Sequence, residues 1–576
     1  MYDDAALPGF LASLGEAPVR GAREDGAVAT TTRGAVTLTS WGTSPSPGSS
    51  DVVILSRVVR DGGGEVEEQA VVARMRDDPS TLARLLPPFA AVAADEHGAT
   101  MVADSMGFRQ LFHSEPGDPD RCVMSTSALL AGRQSGASLD EVALGVQSQL
   151  GWQLGQRTLH TGVRKLAPGA VASLGASGIV VDHPQPVDGS PIVLAEAVTQ
   201  AAAVLRESLE VLLDDHPDAV LQLTGGMDSR LLLAAVPRSR RRGLRAMTLG
   251  DADSGDVRIA SQLAARDGIR HEVYRAADIS GVRPDEAWEA SRSAAIRLDG
   301  MADPITLAVL GWDERSFDQG VRISGLGGEV ARGFYYLGAV HDRPVTAHEA
   351  SRLGAWRMFV NESVEPGMLV DDFAAAARHD ADAELFAALS DGDAEWFRAT
   401  DSLYLRHRMQ RWAGATDTAV AYQRIVVNPM LDERFLGLAQ RLAPQQKADS
   451  RFLASLLMEL DPDLGGIPLE GRLAPASYAN PTAWQGLARR ALLARKLARK
   501  AAQRLRGTNR AAEGNVVLAD KVVEHWRANS ALLEPLAATG LIDEAWIDGV
   551  LAGRIDPRPS SVGFLTNMLV ASGQSV

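Results

Sequence analysis

From residue 219 to 325 the sequence alternates short apolar runs with helical patterns, and this alternation limits the fold more than any other feature. AVLQL (219–223) has strand length and no charged break. SRLLLAAV follows with helical spacing and stops at Pro237. LRAMTLG (244–250) is a second strand, DVRIASQLAARDG a second helix closed by Gly268, RHEVYRA a third strand, and QGVRISG (319–325) another. Parallel neighbours need a crossover of a dozen or more residues, and a helix supplies it. Strands and helices in turn therefore predict a doubly wound parallel α/β sheet. A long helical pattern, LAEAVTQAAAVLRESLEVLL, precedes it.

The first third reads differently. AVTLTSW, DVVILSRVV, FAAVAAD, TMVADS, RQLFHS and AVASLGASGIVVD are short β-type runs, with helical patterns at DPSTLARLL and SLDEVALGVQSQLG between them. This predicts an α+β domain over 26–185, after an acidic, aperiodic lead at 1–25. DHPQPVDGSP (182–191) is punctuated by Pro, Gly and Asp and reads as the linker. A second domain, 190–576, holds the alternating region and turns mostly helical beyond about 345. No apolar run reaches about 18 residues, so no membrane span is expected. MYDDAALPGF is acidic and lacks a signal-peptide core, and Cys122 is the sole cysteine. An internal disulfide framework and a multi-cysteine metal site are excluded, and a cytoplasmic protein is expected. A net charge of −15 argues against general nucleic-acid binding.

Between the first predicted strand and helix lies Thr224-Gly225-Gly226-Met227-Asp228-Ser229. Helix-start amides lack intrahelical partners, the dipole there is positive, and glycines permit close approach of an anion. Such a turn suits phosphate or pyrophosphate, with Thr224 and Ser229 as further hydroxyl donors. Asp228 would repel phosphate unless a divalent cation lay between them, and Mg²⁺ is the hard, oxygen-seeking choice. The plainer alternative is an Asx-type turn in which Asp and Ser cap the helix. The loop is neither a Walker A sequence nor G-x-G-x-x-G. A second turn, ISGLGGEVARGFYY (323–336), again follows a strand and offers Glu329 as a second metal carboxylate. The alternative for Glu329 is helix-dipole compensation, worth ~0.3–1 kcal/mol. Two such turns at strand ends are expected at the crevice of an open α/β sheet.

LTGGMDSR resembles the Ser-Gly-Gly-x-Asp-Ser pyrophosphate loop of the asparagine synthetase-like family, which includes β-lactam synthetases and lasso peptide cyclases. TLGDADSGDVRIASQLAARDGIRHE resembles that family's next strand and helix, ISGLGGE its Ser-Gly-Glu-Gly-x-Asp-Glu motif, and VVNPMLDERFLGLAQRLAP its Pro-Phe-Leu-Asp helix region. FAAVAADEHGATMVADSMGFRQLFHS and GVRKLAPGAVASL resemble the amino-terminal glutaminase-type domain. The similarity runs over nearly the whole chain. It implies an Ntn-hydrolase-like α+β domain, then a doubly wound α/β ATP-pyrophosphatase (adenine nucleotide α hydrolase-like) domain with a helical carboxyl-terminal part. The implied activity is adenylation of a carboxylate by ATP with Mg²⁺, release of pyrophosphate, attack by an amine, and release of AMP. Thr224, Gly225, Gly226, Asp228 and Ser229 carry over to pyrophosphate and metal binding. Leu249 and Gly250 carry over to adenine and ribose, Gly325 to the nucleotide, and Glu329 to the metal.

The departures from the family pattern bear on function. The family's glutaminase uses a cysteine directly after the initiator Met, where Tyr2 stands here. Cys122 reads as a core residue. The first domain is therefore expected to be inactive toward glutamine, the amine being ammonia or part of the substrate. Leu326 stands where the family has Glu or, in β-lactam formers, Tyr, and Val330 replaces an acid. Leucine cannot deprotonate an amine. Tyr335, Tyr336 or the leaving adenylate could take that role, and the tyrosines could instead pack beneath the loop. Arg472, in IPLEGRLAP, stands for the family's transition-state Lys, with a surface salt bridge as its alternative. Asp256 touches nucleotide or caps a helix, and His271 reads as a satisfied strand histidine.

QGLARRALLARKLARKAAQRLRG (485–507) reads as a helix with a solvated basic face, as an attractor for an acidic peptide or carrier-bound substrate, or, third, as a membrane-surface attachment. Within the resemblance, a lasso-type peptide macrolactam cyclase ranks first. A β-lactam-synthetase-like or ammonia-using asparagine synthetase-type enzyme follows, and a nucleotide-binding pseudoenzyme scaffold is the reading from another class. The implied partners are a carboxylate substrate such as a precursor peptide, with a leader-binding protein or protease of the same pathway.

Overall fold

Phe10 and Leu11 are both almost fully buried, and they face different cores from the strand Gly9–Leu14. This strand corrects the expectation of a loose lead. It is paired on both sides, by Val36–Trp41 and by Val123–Ser125. With both faces covered, GFLASL has no clean polar alternation to betray it. The computed structural model describes residues 8–14, 29–42, 51–62, 64–115, 121–184, 189–251, 253–315, 317, 320–336, 338–359, 362–420, 424–479 and 512–573. The basic segment 485–507 and Tyr2 lie outside the described residues.

The first third builds two large antiparallel sheets, besides a two-stranded pairing of Arg60–Asp61 with Gly64–Glu65. One runs in the order Val163–Lys165, Phe112–Ser114, Val123–Ser125, Gly9–Leu14, Val36–Trp41, Ala29–Arg33. The other runs Gly178–Asp182, Val171–Gly175, Gly98–Ala103, Ala90–Asp95, Val52–Ile54. Their facing sides meet through Phe10, Leu38, Val92, Met101 and Leu174, with Cys122 in the same core. The far side of the second sheet packs on the helix Glu68–Asp77 through Val71 and Met75. The segment expected as a helix at DPSTLARLL is a 3₁₀ stretch, Pro79–Arg84, capped by Asp78. The far side of the first sheet joins Leu11, Phe112 and Val123 to the helices Ala128–Ser135 and Glu141–Leu150.

The alternating region forms a parallel sheet. Its strands are β1 (Val220–Gln222), β2 (Arg245–Leu249), β3 (Arg270–Tyr274), β4 (Arg322–Ile323) and β5 (Val426–Val427). Their order is β3-β2-β1-β4-β5, with Leu221 opposite Ala246 on one side and Ile323 on the other. Strand order reverses between β1 and β4, the switch point at which an open sheet leaves a crevice. β5 sits in a stretch whose sequence resembles a helix region, and two residues are too few to display a period. The helix there is Glu433–Arg441, capped by Asp432.

The long helix α1 (Leu194–Asp215) precedes β1, α2 (Asp228–Ala235) follows β1, and α3 (Gly255–Asp267) follows β2. Beyond 345 the chain is mostly helical, as expected. The two expected domains share one core, in which Leu11, Phe108 and Leu144 are continuous with Leu205, Leu221 and Leu457. Gly145 lies so close to the helix Asp371–Gly392 that an added Cβ would stand 2.9 Å from the Ala377 Cα. No helix among the described residues is long and apolar enough to cross a membrane.

Candidate functional site

The two glycine turns leave the carboxyl ends of β1 and β4, on either side of the switch point, and press against each other. A Cβ on Gly325 would stand 3.0 Å from the Ser229 amide nitrogen, and one on Gly328 would stand 2.3 Å from Asp228 Oδ1. Without side chains at these positions, the turns can close on Asp228.

The first turn holds its own shape. The Thr224 amide donates to Ser229 Oγ (3.0 Å), the Gly226 amide to Thr224 Oγ1 (3.1 Å), and the Gly225 amide to Asp256 Oδ1 (2.9 Å). Thr224 and Ser229, expected as donors to an anion, thus accept amides of the loop. Asp256 does not cap α3, a role Ser254 fills; it fixes Gly225. The capping alternative for Asp228 and Ser229 is not what forms, because α2 starts after Met227 with no side-chain cap. First-turn amides have no partner within their own helix.

Asp228 and Glu329 converge from the two turns. Arg332 holds one oxygen of each, at 3.5 Å from Asp228 Oδ2 and 3.0 Å from Glu329 Oε1. Their other oxygens, Asp228 Oδ1 and Glu329 Oε2, are buried without a hydrogen-bond partner. Burial pushes the Asp228 carboxyl up to about 7, with Glu329 adding to the rise and Arg332 and Arg472 opposing it. Two such orphaned carboxylate oxygens are costly unless a cation completes them. No cluster of three or more metal-ligating side chains occurs among the described residues. The donor set fits a Mg²⁺-type ion, which commonly takes one or two carboxylates and fills its octahedron with phosphate oxygens and water.

Arg472 comes to this place through a residue that sequence reasoning misses. Arg230, wholly buried on α2, donates to the carbonyls of Leu464, Ile467 and Pro468, and to that of Gly225. It clamps the start of the 464–472 segment to the first turn, and the exposed Arg472 lies within electrostatic reach of Asp228. Arg332 is missed as well. Its signal is an arginine three residues after Glu329, a spacing that faces the two side chains on one helical turn.

Leu249 ends β2 and Gly250 follows it, its amide donating to Tyr274 O at 2.8 Å. His271 is satisfied by Thr248 Oγ1 (2.8 Å) and Ser261 Oγ (3.4 Å), and Cys122 is buried. Leu326 packs against the core and Val330 is buried in it. Tyr335 is buried against Phe334 and Tyr404, and burial raises its hydroxyl above the ordinary phenol range, so it is protonated at neutral pH. Tyr336 donates to Asp401 Oδ2 (2.7 Å), which also pairs with the buried Lys447. Neither tyrosine is set up as a free base. A separate cleft is lined by Leu55–Val58, Leu86–Pro88 and Arg424–Val427 among others, and no residue of the two turns lines it.

No family model matches the chain, and no curated protein matches it.

Proposed function

We propose that the chain is an asparagine synthetase-like ligase that forms an amide bond at the expense of ATP, without glutamine as the nitrogen source. The observation that carries this reading is the pair of orphaned oxygens on Asp228 and Glu329, brought together from two glycine turns at the switch point of a parallel sheet. The supporting features are the uncapped start of α2 and the guanidinium of Arg472 nearby.

In this reading a substrate carboxylate oxygen attacks the α-phosphorus of ATP. The bond from that phosphorus to the bridging oxygen breaks, and pyrophosphate leaves. An amine then attacks the acyl carbon, loses a proton, and expels AMP. Asp228 and Glu329 would hold Mg²⁺, which supplies charge neutralisation on the phosphates. The amides at the start of α2 orient the diphosphate. Arg472, a permanent cation, stabilises charge that builds on the phosphates in the transition state. Leu326, Tyr335 and Tyr336 supply no ready base, so the departing adenylate is assigned the amine proton. A peptide macrolactam cyclase of the lasso type is the preferred member of the class, with the amine carried by the substrate itself.

The test is exchange of radiolabelled pyrophosphate into ATP in the presence of candidate carboxylates and peptides. A ligase of this class exchanges label, and Asp228→Ala abolishes the exchange. ATP binding without any exchange under these conditions defeats the reading and leaves a nucleotide-binding scaffold.

A further inference from the structure

Beside the second glycine turn lies a group of cations and rings that the diphosphate chemistry leaves unused. Two stretches of π-helix, Gly354–Met358 and Tyr404–Gly414, carry Arg357 and Arg408. Such turns are rare and recur at functional sites. The Arg357 guanidinium lies 4.8 Å from the centre of the Phe334 ring and 5.5 Å from that of Tyr335. Phe334 packs on Tyr404 at 4.6 Å, and Tyr335 meets Tyr404 edge-on at 5.8 Å. Arg408 approaches Glu362 at 3.5 Å and lies 4.7 Å over Trp412, with its charge close enough to act on the Tyr335 hydroxyl. Both arginines therefore border the segment that directly follows Glu329 and Arg332.

The charges do not balance. Arg332 is matched by Asp228 and Glu329, and Arg408 by Glu362. Arg357 faces ring surfaces and the like charges of Arg408 and Arg332, and no described carboxylate pairs with it. Contact with ring faces leaves the N–H donors of this part-buried guanidinium without acceptors. A planar guanidinium fork is shaped to hold both oxygens of a carboxylate.

We propose that Arg357, backed by Arg408, anchors a substrate carboxylate at the edge of the packed rings Phe334, Tyr335 and Tyr404. Such a site takes a carboxylate carried beside an apolar or aromatic group, as in an acidic residue of an apolar peptide segment. The role of the bound carboxylate rests on the ligase reading; the binding site itself stands on Arg357 and the rings.

Benzoate is the probe, titrated calorimetrically into the full chain without nucleotide or metal. The wild-type chain binds one benzoate in the millimolar range, as so small a ligand allows. Arg357→Gln weakens binding at least tenfold, while Arg315→Gln, which removes a guanidinium stacked on Trp312, leaves it unchanged. Absence of binding by the wild-type chain, or undiminished binding by Arg357→Gln, overturns the proposal. If thermal melts reveal that Arg357→Gln is unfolded, Arg357→Lys decides, because it keeps the charge and loses the fork; unchanged affinity in that variant is again fatal. Benzoate binding in a chain that never exchanges pyrophosphate leaves the subsite standing and removes the ligase. Exchange in a chain that ignores benzoate does the reverse.

Discussion

Asp228 is the residue at which burial and charge conflict most openly. Its carboxyl sits at about 7, far above that of an unfolded aspartate, because the fold removes water from it and sets Glu329 beside it. The sign follows from linkage: the folded chain holds this proton up to about pH 7, whereas the unfolded chain releases it at about pH 4. Stability from this group is therefore complete below about pH 4 and is lost as the pH rises to about 7. Asp228→Asn should melt higher than wild type at pH 8 by calorimetry, and the gap should close toward pH 4. The same titration governs ligand binding. Affinity for MgATP should fall by up to about tenfold per pH unit below 7 in the wild-type chain, and this dependence should flatten in the Asn variant. Arg472→Gln tests the other charge: kcat should drop ~10²–10³-fold with a small change in the KM for ATP.

At the scale of elements, the site depends on how closely two turns approach. Gly328→Ala would place a methyl group 2.3 Å from Asp228 Oδ1, so one turn must move. MgATP affinity should fall at least tenfold while the far-ultraviolet circular dichroism stays unchanged; unaltered affinity would contradict the packing described for the turns. Arg230 makes the corresponding link between α2 and the 464–472 segment. Arg230→Met leaves the carbonyls of Leu464, Ile467 and Pro468 without their donor, at ~1–3 kcal/mol for each one buried. A lowered melting temperature together with a loss of kcat is the expected pair of effects. The sequence pointed to both glycine turns because strand, glycines, acid and helix are contiguous there. It was silent on Arg230, whose partners in the 464–472 segment lie 234 to 238 residues away.

For the whole molecule, the shared core is decisive. Leu11, Phe108 and Leu144 from the first third pack in one continuous cluster with the helices and strands around the parallel sheet. A chain built this way should unfold in a single calorimetric transition, and residues 190–576 expressed alone should be insoluble or poorly folded. Two well-separated transitions would mean that the two parts are independent domains after all.

Reading along the chain was enough to place the parallel sheet, the strand-rich first part and both glycine turns. Each depends on local periodicity or on residues adjacent in sequence. Asp228 and Glu329 were legible too, since acids beside glycine turns stand out without any structure. Three-dimensional packing was needed to reveal that the lead contains an inner strand, that β5 completes the sheet, and that Asp256 is spent on Gly225. Packing also placed Arg332, Arg230 and Arg357, and it left one oxygen on each carboxylate without a partner. The physical reason is common to all of these. Burial on both faces erases alternation, and hydrogen bonds or charge matches across distant segments leave no period in the sequence.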